Sequence, residues 1–200
     1  MGCPVFHLVG KESVLKRSFD FMLAFMALVV FIVPMLMVAM AVRLTSKGPA
    51  LYWSDRVGSN NKVFRMPKFR TMRTDTPVVA THLLSDPKAF LTPIGSFLRK
   101  TSLDELPQLW SILNGDMSFV GPRPALFNQH DLIALRTERG VHRLTPGLTG
   151  WAQVNGRDEL EIPEKVRFDE EYLKRRSVLF DLRILFMTAT RVLGRHGVTH

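Results

Sequence analysis

The 200-residue chain has one cysteine, Cys3, so it can form neither an intramolecular disulfide nor a multi-cysteine metal site. That usage fits a reducing compartment. The six histidines are scattered, with no His-x-x-x-His or similar spacing, which argues against a zinc centre. No Gly-Lys-Ser/Thr follows a glycine-rich loop, and no G-x-G-x-x-G follows a strand. Neither a Walker-type nor a Rossmann-type nucleotide site is therefore indicated. Acidic residues are few, with 18 Asp and Glu against 27 Lys and Arg, for a net charge of +9. An anionic partner is expected: nucleic acid, acidic lipid or a phosphorylated substrate. Met1-Gly2-Cys3 is followed by Phe6 where a myristoylation signal takes Ser or Thr, so Cys3 reads as incidental.

Charge is absent altogether from Phe21 to Val42, a run long enough to cross a bilayer core of about 20 helical residues. It is too long for the apolar part of a cleaved signal peptide. Two features favour an element that enters and leaves by the same face. Pro34 lies inside the run and removes a backbone hydrogen bond. Both flanks are basic, with Lys11, Lys16 and Arg17 before and Arg43 and Lys47 after, and the positive-inside tendency would keep both in the cytoplasm. A helix–break–helix around Pro34 meets both conditions.

Ser46-Lys47-Gly48-Pro49 is expected to turn, with strands at Ala50–Trp53 and Lys62–Met66 around a Gly58–Asn61 turn. From Arg43 to Arg73 the only acid is Asp55, a basic bias suited to anionic headgroups or substrate phosphates. Residues 74–89 read as a loop. Thr92-Pro93 is expected to start a helix, Thr92 as cap, with Phe90, Ile94, Phe97 and Leu98 as its apolar face and Arg99 at its end. Leu106, Leu109, Trp110 and Leu113 form the stripe of the next helix, closed by Gly115. A helix is expected from Pro163 to about Arg176, placing Asp169 and Tyr172 on one face. A further stripe comprises Val178, Leu182, Leu185, Phe186, Ala189, Val192 and Leu193. It could lie on a bilayer surface or pack on the core. The tail Arg195–His200 is expected to be mobile.

Three stretches carry the chemistry. Ser102-Leu103-Asp104-Glu105 has the spacing of a capping box, although Pro107 implies an irregular first turn or a helix starting near Asp104. Either arrangement leaves Asp104 at a helix N-terminus, where anions are favoured and a carboxylate stays ionised. Such a carboxylate beside a phosphate site can act as a nucleophile. In Gly121-Pro122-Arg123-Pro124 two prolines fix the backbone around one arginine, presenting a pre-set guanidinium to phosphate. Pro146-Gly147-Leu148-Thr149-Gly150-Trp151 and Asn155-Gly156-Arg157 read as a glycine-punctuated loop.

Together these segments resemble the bacterial sugar transferases, the monotopic polyprenyl-phosphate phosphoglycosyl transferases. The matching stretches are the proline-bearing hydrophobic element, Lys68-Phe69-Arg70-Thr71-Met72, Thr101 to Trp110, Asn114 to Pro124, Pro146 to Arg157, and Asp169-Glu170-Glu171-Tyr172. They occur in family order across residues 15–195. One departure is Val33, where the family often has Ser before the membrane proline. The resemblance implies an enzyme that transfers a phosphosugar from a nucleoside diphosphate sugar, usually a UDP-sugar, to polyprenyl (undecaprenyl) phosphate, with release of UMP. It would act at the cytoplasmic face of the bacterial inner membrane, at the first membrane step of a glycoconjugate or exopolysaccharide pathway. Asp104 would attack to give a covalent phosphosugar–aspartate. Glu105 would bind Mg²⁺, with Asp169 as second ligand or orienting group. Lys68, Arg99, Arg123 and Arg157 would face substrate phosphates.

The expected fold is α+β and mostly helical. Residues 1–45 would form a membrane-embedded re-entrant helix. Residues 46–200 would form a cytoplasmic catalytic domain with a small β-hairpin and amphipathic interfacial helices. The partners are then a UDP-sugar, polyprenyl phosphate and the lipid bilayer, with no nucleic acid and with a homodimer left open. A membrane-anchored binding protein for acidic lipid or nucleic acid would leave Asp104-Glu105 without a task. The aromatic residues are also not interleaved with the basic ones as in a single-strand binder. A membrane-bound phosphatase using an aspartyl-phosphate would release free phosphate and need no lipid acceptor.

Overall fold

A computed structural model describes residues 5–77, 86–156 and 160–193. Arg157, the tail from Arg195 and the middle of the 74–89 loop lie outside the described residues.

The hydrophobic run is part of one helix, α1 (Val5–Thr45), which continues through Pro34. The break expected at Pro34 is thus corrected. A proline removes one N–H and crowds the carbonyl four residues back, that of Val30, yet the turns on either side remain helical. By length and composition α1 is apolar enough to cross a membrane. Its packing follows a helical stripe. Leu23, Ala24 and Ala27 join the main core with Ile112, Val120 and Ile184. Met35, Val38, Ala39 and Val42 join a second cluster with Phe69 and Leu98. Between these two halves Val29, Val30, Phe31, Ile32 and Val33 are all exposed. Both ends of its apolar stretch are also tied to the rest of the protein by polar contacts. Arg17 donates to the carbonyls of Ile112 and Leu113, and Ser118 Oγ donates to Asp20. Beyond the helix, Arg70 donates to the carbonyls of Pro49 and Ser46.

Strands β1 (Leu51–Val57) and β2 (Val63–Phe69) form the expected hairpin, with Tyr52 opposite Lys68. They run further than the alternation suggested, since Pro67 is tolerated in β2, an edge strand that needs fewer ladder bonds. Asn60 and Asn61 take left-handed conformations in the turn, which asparagine allows. After α2 (Gly95–Thr101) and α3 (Gln108–Asn114), β3 (Ser118–Val120) leads to β4 (Ala125–Leu126), which extends the hairpin sheet beside β1. Then come α4 (His130–Glu138), β5 (Gly147–Thr149), α5 (Ile162–Arg175) and α6 (Val178–Leu193).

The pair β3–β5 is parallel and was not legible as strands: each is three residues long and without an apolar–polar alternation. It depends on glycine. A Cβ on Gly147 would lie 2.1 Å from the Gly121 nitrogen, and one on Gly121 would lie 2.3 Å from the Thr145 carbonyl oxygen. The Gly-Pro-Arg-Pro segment and the Pro-Gly-Leu-Thr-Gly segment therefore pack backbone against backbone.

Two further expectations are corrected. Thr92 does not cap a helix; its hydroxyl donates to the Thr71 carbonyl, and α2 begins at Gly95 after a turn. On α6 the side facing the core carries Phe180, Asp181 and Ile184, while Val178, Leu182 and Phe186 of the expected stripe face outward with Leu179. Leu185 packs partly against the core. Both sides of α6 are apolar, so spacing alone could not say which one is covered.

Candidate active site

The acidic pair does not sit in a capping box. Ser102 has φ +56°, a left-handed conformation uncommon outside glycine, and its backbone N–H closes α2 on the Arg99 carbonyl. Its side chain caps nothing. A 3₁₀ turn at Leu103–Glu105 follows, and α3 begins only at Gln108 with Pro107 as its cap residue. Asp104 therefore precedes α3 instead of occupying its first turn. Proline's missing N–H accounts for this, because a regular α-helix through Glu105 would require Pro107 to donate back to Leu103. The conformation at Ser102 costs about 1 kcal/mol or more and re-aims the two carboxylates that follow it.

Glu105 is turned toward two cations. Lys68 Nζ donates to its Oε1 at 2.8 Å, and Arg123 Nη2 reaches the same oxygen at 3.4 Å. Lys68 comes from β2 and Arg123 from the β3–β4 loop, so three separate segments converge here. Asp104 is buried beside them. Burial pushes its carboxyl up to about 6; the charge of Lys68 opposes this, and that of Glu105 adds to it. Glu105 goes the other way. Burial alone would raise it, but the charges and hydrogen bonds of Lys68 and Arg123 together hold it well below the usual carboxylate range. Burial lowers the Lys68 ammonium despite Glu105. Two adjacent carboxylates thus differ in kind. Glu105 is a fixed anion, and Asp104 is a more basic one that is ionised near neutral pH and poorly solvated.

Of the phosphate-facing residues expected from sequence, Lys68 and Arg123 meet at Glu105. Arg99 lies close enough for its charge to act on Asp104, with its Nε on the Thr71 hydroxyl at 3.1 Å. Arg157 lies outside the described residues. Asp169 is paired with an arginine. It is 1% exposed, and its Oδ2 accepts from Arg136 Nη2 at 2.6 Å and Nε at 3.0 Å. Arg136 and Thr71 were missed. Arg136 has no motif around it, and only the tertiary structure brings it to Asp169, 33 residues away.

No group of three or more His, Cys, Asp or Glu that could hold a metal ion occurs among the described residues. The donors available at the site are the two neighbouring carboxylates. That set suits Mg²⁺, which takes one or two carboxylates and fills its octahedron with substrate phosphate oxygens and water.

The arrangement suits phosphoryl chemistry: a basic carboxylate, an anion beside it, and guanidinium and ammonium groups to receive phosphate charge. Comparison with known proteins agrees. The family model for bacterial sugar transferases matches residues 11–195, and the chain belongs to that family. The UDP-glucose:undecaprenyl-phosphate glucose-1-phosphate transferase of Escherichia coli K12 is 40% identical over 190 residues, covering 90% of this chain and 40% of that protein. The uncharacterized sugar transferase EpsL of Bacillus subtilis is 41% identical over 187 residues, covering 92% of this chain and 90% of EpsL. The undecaprenyl-phosphate galactose phosphotransferase of Salmonella typhimurium is 38% identical over 201 residues, covering 92% and 41%. The chain thus spans about two fifths of the length of several of these relatives and most of the length of EpsL.

Arg123→Lys is expected to lower catalytic efficiency about ten- to a hundredfold. An arginine that holds a phosphate through its planar fork loses one charge-assisted hydrogen bond of about 1.5–3 kcal/mol when a flexible ammonium replaces it. Steady-state kcat/KM against nucleotide sugar checks this; near wild-type efficiency would remove Arg123 from phosphate recognition.

Proposed function

We propose that the protein transfers a phosphosugar from a UDP-sugar to undecaprenyl phosphate in two displacements at Asp104. The observation that carries this reading is the convergence of Lys68 and Arg123 on Glu105 beside the buried Asp104. The names of the relatives supply the substrate classes. In the first displacement an Asp104 oxygen attacks the phosphorus that bears the sugar. The bond to the bridging oxygen breaks, and UMP leaves with that electron pair. In the second, an oxygen of undecaprenyl phosphate attacks the same phosphorus and expels the Asp104 carboxylate. Burial of Asp104 favours the first step, because a poorly solvated carboxylate is more basic and must shed less water to attack; in the second step Lys68 and Arg99 offset the charge that returns to the departing carboxylate. Arg123 and Lys68 bind and orient phosphate oxygens, and Arg99 offsets the charge next to Asp104. Glu105, with Asp104, would hold Mg²⁺, which when bound neutralises phosphate charge.

The membrane assignment rests on α1. Arg17 and Ser46 lie near either end of its apolar stretch, and both are bound to the same domain. The two points lie about 43 Å apart along the helix, more than a bilayer core of about 30 Å, but both are bound to one highly charged domain, which stays on one side of the membrane. This supports an unbroken helix held along one face of the membrane, with its exposed Val29–Val33 segment turned to lipid. The outward apolar side of α6, with Leu179 79% and Phe186 71% exposed, would rest on the same surface. Cysteine labelling from outside the cell is expected to fail at positions before Lys16 and after Lys47 alike. Labelling at the N-terminal position alone would show a spanning helix.

The reaction is tested with a panel of UDP-sugars and Mg²⁺, with and without undecaprenyl phosphate, scored for UMP. Turnover should require the lipid, and enzyme alone should release at most one equivalent. Continuous release of inorganic phosphate without lipid would make it a phosphatase instead. Release of no nucleotide from any UDP-sugar in the panel would reject the transferase reading.

A further inference from the structure

The segment carrying Arg123 has little hold on itself. Pro122 and Pro124 have no N–H to donate, and the chain between β3 and β4 makes no helix. Its main chain is instead gripped from outside, group by group. The Tyr172 hydroxyl donates to the Val120 carbonyl at 3.2 Å. The Gly121 N–H donates to Thr149, and the Pro122 carbonyl accepts from Gly147 at 2.9 Å. Arg56 Nη1 reaches the Pro124 carbonyl at 3.2 Å. The carbonyl of Arg123 itself accepts from Arg136 Nη1 at 2.8 Å.

That last contact is the unusual one. Arg136 is 7% exposed and Asp169 1% exposed, and the pair is joined through two guanidinium nitrogens. Removing two charges from water is costly, and a buried ion pair of this kind seldom repays the cost in stability. Three of the guanidinium's donors are thereby fixed. Asp169 on α5 sets the plane of Arg136 on α4, and the remaining nitrogen points at one main-chain oxygen.

We propose that Arg136 and Asp169 form a positioning pair that orients Arg123 through its own carbonyl. They thereby set where the Arg123 guanidinium meets Glu105 and the substrate diphosphate. Neither residue of the pair touches substrate. This rests on the reading of Arg123 as a phosphate-binding residue. It gives Asp169 a task in the reaction without placing it at the metal.

The test is a double-mutant cycle. Arg136→Met alone would strand the buried Asp169 charge and could unfold the chain, so the working variant is Arg136→Met/Asp169→Leu. It removes both charges and keeps the volume apolar. Thermal unfolding is expected to stay close to wild type, while kcat/KM for the UDP-sugar falls about ten- to a hundredfold, the loss expected when the Arg123 contact is misplaced. Adding Arg123→Gln to this variant should cost little beyond Arg123→Gln alone, because both act on one contact. Arg136→Lys, which retains the charge but cannot hold Asp169 and the carbonyl in one plane, should recover only part of the activity. Fully additive losses, or wild-type kcat/KM in the folded double variant, would overturn the proposal.

A second readout separates this from the transferase reading itself. The Arg123 Nε–H resonance should be sharp and slow to exchange in the wild type, and broadened or fast-exchanging in Arg136→Met/Asp169→Leu. If wild type turns over no UDP-sugar, the function fails, and this resonance still decides whether the pair orders Arg123. An unchanged resonance would overturn the positioning role.

Discussion

Asp104→Asn is expected to abolish turnover and at the same time to make the protein more stable. Turnover is lost because an amide cannot displace a nucleoside monophosphate and then leave as a carboxylate. The gain in stability follows from the position of Asp104. Its carboxyl titrates at about 6 in the folded protein, because burial disfavours the anion. The unfolded chain titrates near 4. A raised carboxylate binds its proton more tightly when folded, so folding is disfavoured once that proton must be given up. The penalty begins as pH rises above about 4 and is complete above about 6. A shift of about two units corresponds to about 3 kcal/mol at neutral pH. Asn carries no charge and escapes it, so the melting temperature should rise by several degrees for a chain of this size. The advantage should vanish below pH 4. Differential scanning calorimetry at pH 7 and pH 4 measures it. Mass spectrometry of enzyme mixed with its UDP-sugar and Mg²⁺ tests the chemistry: wild type should carry a phosphosugar on the peptide containing Asp104. An adduct of the same mass in Asp104→Asn, or equal stability of the two proteins at pH 7, would refute this account.

Glu105→Gln, one residue away, should do the opposite to stability and move the pH profile. Glu105 is held ionised by Lys68 and Arg123, which more than offset its burial. A depressed carboxylate contributes stability above its unfolded value, near 4.3, and loses it as pH falls through the lower folded value. Neutralising Glu105 therefore removes stability at pH 7 and leaves Lys68 buried beside Arg123 without its anion. The charge of Glu105 also helps to keep Asp104 basic. Without it, and with both cations uncompensated, the carboxyl of Asp104 should fall toward its ordinary range. Wild-type kcat/KM is expected to decline as pH drops through about 6, because the attacking group must be the anion. In Glu105→Gln that decline should move to lower pH. The maximal rate should fall at least about a hundredfold, as suits loss of a charge-assisted contact of about 3 kcal/mol. A pH profile with an unmoved acid limb would mean that the limb belongs to another group.

Much of the site was legible because its parts are local. Asp104-Glu105 and Pro122-Arg123-Pro124 are written as consecutive residues; Lys68 lies beyond the expected strand Lys62–Met66 and was named only through the family resemblance. The capping-box spacing at Ser102 and Glu105 describes a regular helix start, but Pro107 forbids it, and the chain bends at Ser102 instead. Similarly, the apolar spacing of Val178, Leu182 and Phe186 was correct as a stripe, yet that stripe faces outward.

From its residues alone the chain was determined to carry a long apolar segment flanked by cations, a basic domain, and an acidic pair suited to phosphate chemistry. Those properties depend on composition and near-neighbour spacing, which folding does not alter. Only the tertiary structure decided that α1 packs both of its halves on one domain, and that Asp104 and Glu105 titrate in opposite directions. It also decided that Asp169 is buried and accepts from the Arg136 guanidinium. Each of these depends on groups far apart in sequence meeting in a buried place. There, loss of water and distances of a few ångströms set the charge state and the partner, and neither quantity is written along the chain.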